Sequence, residues 1–289
     1  MKRFYRGIFS TLGVFAMTAS AHAIDISPGD YTLLPANTKV ALEYFQYTNM
    51  DSFELDGAGK VPDSGFDNIT GVSRFLYYGE AGTLRYGLQA YLPYGTFSDA
   101  HIGGMDAPVT NGIADFTVGA TAWLVKPDNP AVGTTLALTG FLTLPTGDYD
   151  PSRIGLGGGT TVITPQIGLI QALGGGLYFD GAFDTAFAFD HDEDGVDYSR
   201  DPSAQLQAYL RYQPSAKASV SFGYSGKFGG KSYANGTYTQ QMTRQDSLRL
   251  FANTFITPTV QIEAMLSMDV NVNGGFKGTT GQLRLMKLF

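Results

Sequence analysis

From residue 38 to the C-terminus, apolar and polar residues alternate in run after run of about ten, and the connections between runs are by turns short and long. The stretch "VQIEAMLSMDV" (260–270) sets Val260, Ile262, Ala264, Leu266, Met268 and Val270 on one face. Gln261, Glu263, Ser267 and Asp269 occupy the other. "LRYGLQAYL" (84–92) and "AQLQAYLRY" (204–212) repeat the pattern. A two-residue period places successive side chains on opposite faces of a strand, and these strands are longer than the usual soluble strand of about five or six residues.

Twelve such runs are predicted, over 38–48, 67–78, 83–93, 113–125, 133–144, 161–171, 177–189, 203–212, 217–227, 246–256, 260–270 and 280–289. Short connections fall at 79–82, 126–132, 172–176, 213–216 and 257–259. Long polar ones fall at 49–66, 94–112, 145–160, 190–202, 228–245 and 271–279. Strict alternation of short and long is what an up-and-down antiparallel barrel requires, with one rim of tight turns and one of long loops. A Greek-key sandwich gives no reason for that order. The expected fold is therefore all-β, a transmembrane up-and-down barrel of about twelve strands.

The N-terminus agrees with a membrane destination. Lys2, Arg3 and Arg6 precede a mostly apolar stretch from Gly7 to Thr18, and Ala21-His22-Ala23 is a small-x-small site. Residues 1–23 read as a secretory signal peptide, leaving 24–289 as the barrel. That segment holds three of the 19 basic residues and none of the 26 acidic ones, so 16 remain against 26 and the net charge is −10. Such a balance argues against a nucleic-acid partner. There is no cysteine, which removes disulfides, thiolate metal sites and a lipidated cysteine. The most apolar later run, around 161–179, contains Pro165, Gln166, Gln171 and three consecutive glycines, so it does not read as a membrane helix. The chain ends "QLRLMKLF", with Leu283, Leu285 and Phe289 on one face. An aromatic-ended final strand suits an outer-membrane barrel and its assembly machinery. Lys287, on that apolar face near the rim, is expected to snorkel to headgroups.

Several stretches carry a family resemblance: "LLPANTKVALEYFQY" (33–47), "NGIADFTVGATAWL" (111–124), "LTLPTGDYD" (142–150), "TPQIGL" (164–169), "DPSAQLQAYLRYQ" (201–213) and "NGGFKGTTGQLRLMKLF" (273–289). In order and spacing the chain resembles the MetA-pathway-of-phenol-degradation, or transporter-like, family of bacterial outer-membrane proteins. The resemblance implies a Gram-negative outer-membrane barrel linked to aromatic-compound catabolism, and it brings no catalytic residues.

Catalytic patterns are sparse. Beyond residue 23 only His101 and His191 remain, both in predicted long loops, and no strand is expected to hold a histidine beside a serine nucleophile. No enzymatic activity and no cofactor are expected. "FDHDEDGVDYSRDP" (189–202) sets Asp190, Asp192 and Asp194 at alternate positions before Gly195, as in the first half of a calcium loop. The twelfth position is Asp201 rather than glutamate, and both flanks are strands. An acidic surface loop is the expected reading, with a weak divalent-cation site bridging lipopolysaccharide phosphates as its competitor.

With apolar faces toward lipid, the opposite faces carry Lys39, Glu43, Arg74, Arg85, Asp115, Asp180, Asp184, Arg211, Lys227, Arg249, Glu263, Asp269 and Arg284. These are the expected pore-lining residues. Tyr44, Tyr77, Tyr86, Trp123, Tyr178, Tyr212 and Tyr224 are expected in the interfacial girdle. The function expected is passive uptake of small aromatic or hydrophobic molecules. The alternative is a non-transporting structural or surface barrel whose lumen is closed by its own salt bridges.

Overall fold

The computed structural model of the protein describes residues 24–289, so the expected signal peptide and its cleavage lie outside the described residues. Twelve long strands form the wall: β1 (Lys39–Leu55), β2 (Gly65–Ala81), β3 (Leu84–Ile102), β4 (Phe116–Val125), β5 (Thr134–Leu144), β6 (Val162–Gly174), β7 (Leu177–Ala188), β8 (Ser203–Ser215), β9 (Ala218–Gly229), β10 (Arg244–Thr257), β11 (Val260–Asn273) and β12 (Phe276–Leu288). Each pairs antiparallel with its sequence neighbours, and β12 returns to pair with β1 from Val40↔Leu288 to Phe53↔Phe276. Closure removes both sheet edges, the condition for placing strands in lipid, where nothing else can bond an unpaired amide or carbonyl.

Alternation sorts the side chains as the pattern requires. Phe75, Leu138, Leu210, Phe222, Leu266 and Leu283 stand outward and exposed. An apolar surface of this kind is intelligible only against an apolar solvent. Lys287 is at the short-turn rim, where its ammonium donates to Thr259 Oγ1 at 2.8 Å, so part of its polar demand is met by the protein.

Four expectations change. The connection expected at 271–279 is only the turn Gly274-Gly275, with Gly274 at φ +74°, because β11 and β12 continue past the polar residues to their ends. Strands β1 and β3 run to Leu55 and Ile102, well beyond the expected ends at 48 and 93. Polar side chains there signalled loop, yet paired backbones carry the wall out of the apolar zone. His101 consequently lies in β3, and His191 in a three-residue strand, so both are strand residues after all. Finally, the loops have structure of their own. His191–Glu193, Val196–Arg200, Ser232–Ala234 and Thr237–Tyr238 make a separate four-stranded sheet. Asp56 ties this region to the barrel mouth, accepting from Asn273 Nδ2 at 2.6 Å and Tyr238 hydroxyl at 2.8 Å. Those two hydrogen bonds hold its carboxyl below the usual carboxylate range.

The expected aromatic girdle divides. Tyr77, Tyr86, Tyr212 and Tyr224 lie on the outward register, whereas Tyr44, Trp123 and Tyr178 point inward. Trp123 is buried and donates its indole N–H to the Tyr31 carbonyl at 3.0 Å. The reason is residues 24–38, which turn back into the barrel and give inward aromatics something to pack on.

A sheet closed in this way predicts a specific behaviour. In detergent the protein should migrate as a compact species on gels before boiling and as an extended one afterwards. Full solubility of a strand-rich protein without detergent would contradict the membrane barrel.

Candidate functional site: a lumen narrowed from within

Residues 24–37 run inside the barrel from its middle to the short-turn rim. A tight turn at Pro28-Gly29, closed by Asp30 N–H to Ser27 O at 3.0 Å and Thr32 N–H to Gly29 O at 2.9 Å, folds the segment against the wall. Ile26 and Tyr31 form a buried cluster with Val40, Leu42, Tyr78, Trp123, Ala137, Ile170, Ala182, Tyr209 and Phe251. Gly168 is required here: a side chain at that position would occupy the space of the Tyr31 ring. The Tyr31 hydroxyl donates to Gln166 Oε1 at 2.5 Å.

The same segment supplies the carboxylates that organise the lumenal arginines. Asp30 lies between Arg74 (2.9 Å) and Arg284 (3.2 Å), and Arg284 also meets Glu263 at 3.0 Å. Asp25 pairs with Arg249 at 3.0 Å, its carboxylate half-exposed toward open lumen. Arg211 grips Asp180 through Nε at 2.7 Å and Nη2 at 3.1 Å, and Asp180 also accepts the Gly29 N–H at 3.0 Å. Ser27 donates to Glu263 at 2.7 Å. Arg211 stacks over the Tyr178 ring at 4.3 Å and Arg74 over Tyr91 at 4.8 Å, so the guanidinium faces are covered as well.

Of the thirteen residues expected along the pore, eleven lie on the inward register. Arg74, Arg85, Asp180, Asp184, Arg211, Lys227, Arg249, Glu263, Asp269 and Arg284 point inward from the strands; Asp115 stands just before β4. Arg85 sits near the short-turn rim and donates to the Leu34 carbonyl at 2.6 Å. Asp115 anchors a loop, accepting from the Gly147 and Gly158 amides at 2.9 and 2.7 Å. Asp269 accepts from Ser247 Oγ at 2.7 Å and Gly278 N–H at 3.0 Å.

Two of the thirteen are corrected. Lys39 is exposed at the rim on the outward register, and Glu43 is outward too, accepting from Ser73 Oγ at 2.7 Å and Tyr94 hydroxyl at 2.8 Å. β1 is apolar on both faces because Val40 and Leu42 pack on the inserted segment. Its alternation therefore could not reveal which face turned inward.

Sequence reasoning missed Asp25, Asp30 and Tyr31; alternation put Gln205 and Gln207 on the inward face, but neither they nor Gln166 were singled out as partners of that segment. A signal was present: "DISPGDYTLLPAN" (25–37) mixes acids, a Pro-Gly turn and apolar residues, and belongs to no predicted strand.

Open space lies on the long-loop side of the segment. A cavity of about 430 Å³ is lined by Met50, Phe53, Phe66, Val272 and Phe276 and by polar groups including Lys227, Gln245 and Ser247. Phe53 and Phe276 stack with centroids 4.5 Å apart, and Phe66 meets Phe276 edge-on at 4.8 Å. Toward the short-turn rim, a cavity beside Ile26, Tyr31, Arg74 and Trp123 has a volume of only about 20 Å³. That is room for about one water.

The acidic loop is built for a turn. Asp194 and Gly195 take φ +50° and +80° between the paired strands His191–Glu193 and Val196–Arg200, as a two-residue hairpin requires. Asp201 accepts from the Tyr233 hydroxyl at 3.0 Å. Among the described residues, no group of three or more His, Cys, Asp or Glu is arranged to hold an ion.

Asp30→Asn should leave Arg74 and Arg284 without their shared anion, costing about 3–5 kcal/mol of stability. The measurement is thermal unfolding in detergent, and an unchanged melting temperature would show that Asp30 is not holding the segment. Calcium titration should bind more weakly than about 0.1 mM. Micromolar binding abolished by Asp192→Asn with Asp194→Asn would make the loop an ion site.

The crystal structure of an outer membrane channel from Pseudomonas putida F1 superposes on this chain with a TM-score of 0.83 and 26% identity, covering 92% of this chain and 100% of the channel. More distant barrels share the fold alone. The NanC porin matches at a TM-score of 0.50 and 10% identity, over 86% of this chain and 98% of the porin. The transport unit of the autotransporter AIDA-I from Escherichia coli matches at 0.50 and 9%, over 97% of each. No curated protein matches the sequence. The match to a family model over residues 50–285 joins the barrel geometry in one conclusion: the chain belongs to the outer-membrane family described as "Putative MetA-pathway of phenol degradation".

Proposed function

We propose that the protein is an outer-membrane channel for passive uptake of small aromatic or hydrophobic molecules, with residues 24–37 as its constriction. The observation that carries the reading is the cavity at the long-loop mouth, whose lining includes the edges of a packed aromatic cluster of Phe53, Phe66 and Phe276. A small aromatic solute gains there by leaving water, about 25 cal/mol for each Å² of apolar surface buried. Beyond the cavity, polar side chains and the inserted segment line a narrow path toward the short-turn rim. Passage there requires a shift of the segment or of the side chains around it. The family's description and the channel from Pseudomonas putida F1 point the same way.

A second reading has its own observation. The small size of the cavity beside Tyr31 and Trp123 suits a barrel that conducts nothing, held shut by the contacts of residues 24–37. Single-channel recording and liposome uptake of phenol separate the two. The channel reading expects small conductance from the intact protein and several-fold larger conductance after deletion of residues 25–36. Replacing both Phe66 and Phe276 by Ala should reduce phenol uptake more than ion current. Absence of current and uptake in the intact protein, with both appearing only after the deletion, would favour the structural barrel.

A further inference from the structure

Within the lumen, Asp25, Asp30, Asp180 and Glu263 each lie against an arginine. Asp184 does not. It is 1% exposed and points inward from β7, four residues beyond Asp180. Among the described residues no Arg or Lys lies within ion-pair distance of it. Lys227 shares its rung, but Gln205 of the intervening strand stands between them. Two strand spacings amount to about 10 Å. A buried carboxylate without a cation is costly, and the surrounding wall offers it one neutral amide: Gln166 Nε2 donates to its Oδ2 at 2.8 Å.

That same nitrogen donates to the carbonyl of Ile24 at 2.9 Å. Gln207 Nε2 reaches that carbonyl too, at 3.2 Å, while its Oε1 accepts the Ile26 N–H at 3.0 Å. The backbone of Ile24 is thus held one amide away from the unpaired acid. Ile24 also follows the Ala21-His22-Ala23 motif directly.

We propose that hydrolysis of the Ala23–Ile24 bond creates the missing counter-cation, the α-ammonium of Ile24, which pairs with Asp184 and fastens the inserted segment. In the precursor this nitrogen is a neutral amide. Water adds across the bond, Ala23 departs as a carboxylate, and the released amine takes up a proton. An α-amino group titrates near about 8 when unperturbed, so it is charged at neutral pH. Beside a buried carboxylate the charged form is favoured further. Processing thereby adds one ion pair to the contacts that already hold the segment through Asp25, Asp30 and Tyr31. The inference rests on removal of residues 1–23 and on the segment's position, and is independent of which solute passes.

The test uses protein purified from outer membranes, with its N-terminal residue read by mass spectrometry. Reductive methylation at neutral pH should modify the Ile24 amine at least about tenfold more slowly in the native protein than in Asp184→Asn, since each pKa unit changes the free-base fraction tenfold. A second variant inserts Gly-Ser between residues 23 and 24, moving the ammonium away from Asp184. It should lower the melting temperature of the native sequence and have no further effect in the Asp184→Asn background. An N-terminus other than Ile24, equal methylation rates, or additive effects of insertion and Asp184→Asn would each overturn the proposal. Conductance is not among the readouts, so a barrel that fails to conduct can still bear the pairing out.

Discussion

The structure depends on one constraint: in lipid, a backbone amide or carbonyl has no partner except another part of the chain. The β1–β12 seam meets it, pairing the two ends of the wall over most of their length. Closure fixes nearly everything else. With no edge left, alternate side chains must face either hydrocarbon or an enclosed lumen, and the lumen becomes the only place within the apolar zone where charge accumulates cheaply. The outward phenylalanines and leucines and the inward arginines are two consequences of the same hydrogen-bond ladder.

Enclosure also raises the stakes for each lumenal charge. Arg74, Arg211, Arg249 and Arg284 are nearly inaccessible, and an unpaired guanidinium there would be far costlier than one on a surface. Wall carboxylates meet part of this demand through Glu263 and Asp180. The rest comes from Asp25 and Asp30, on a segment that is not part of the wall. The inserted segment is therefore held by electrostatics and packing together. Tyr31 fills the space left by Gly168, and Asp30 bridges two arginines on different strands.

The lumen is unequal along its length. Its long-loop half is open, while its short-turn half is filled by residues 24–37 and the side chains around them. The lining of the long-loop half mixes aromatic and aliphatic side chains with polar ones. Twelve strands make this possible: fewer would leave the lumen to wall side chains alone, and many more would leave a wide aqueous bore.

The sequence by itself determined the strand number, the two kinds of rim and the inward face of most strands, because a two-residue period is local and survives in any ten-residue window. β8 shows this well: Gln205, Gln207, Tyr209 and Arg211 face inward as the alternation requires. Only the tertiary structure decided where residues 24–37 go. Their partners are remote, Ser27 meeting Glu263 across 236 positions and Ile26 meeting Gln207 across 181, and no local pattern encodes such a meeting. The errors at Lys39, Glu43 and Trp123 follow from that one omission. Once an apolar segment lies inside the barrel, inward positions can be apolar, and polarity no longer tells the two faces of a strand apart.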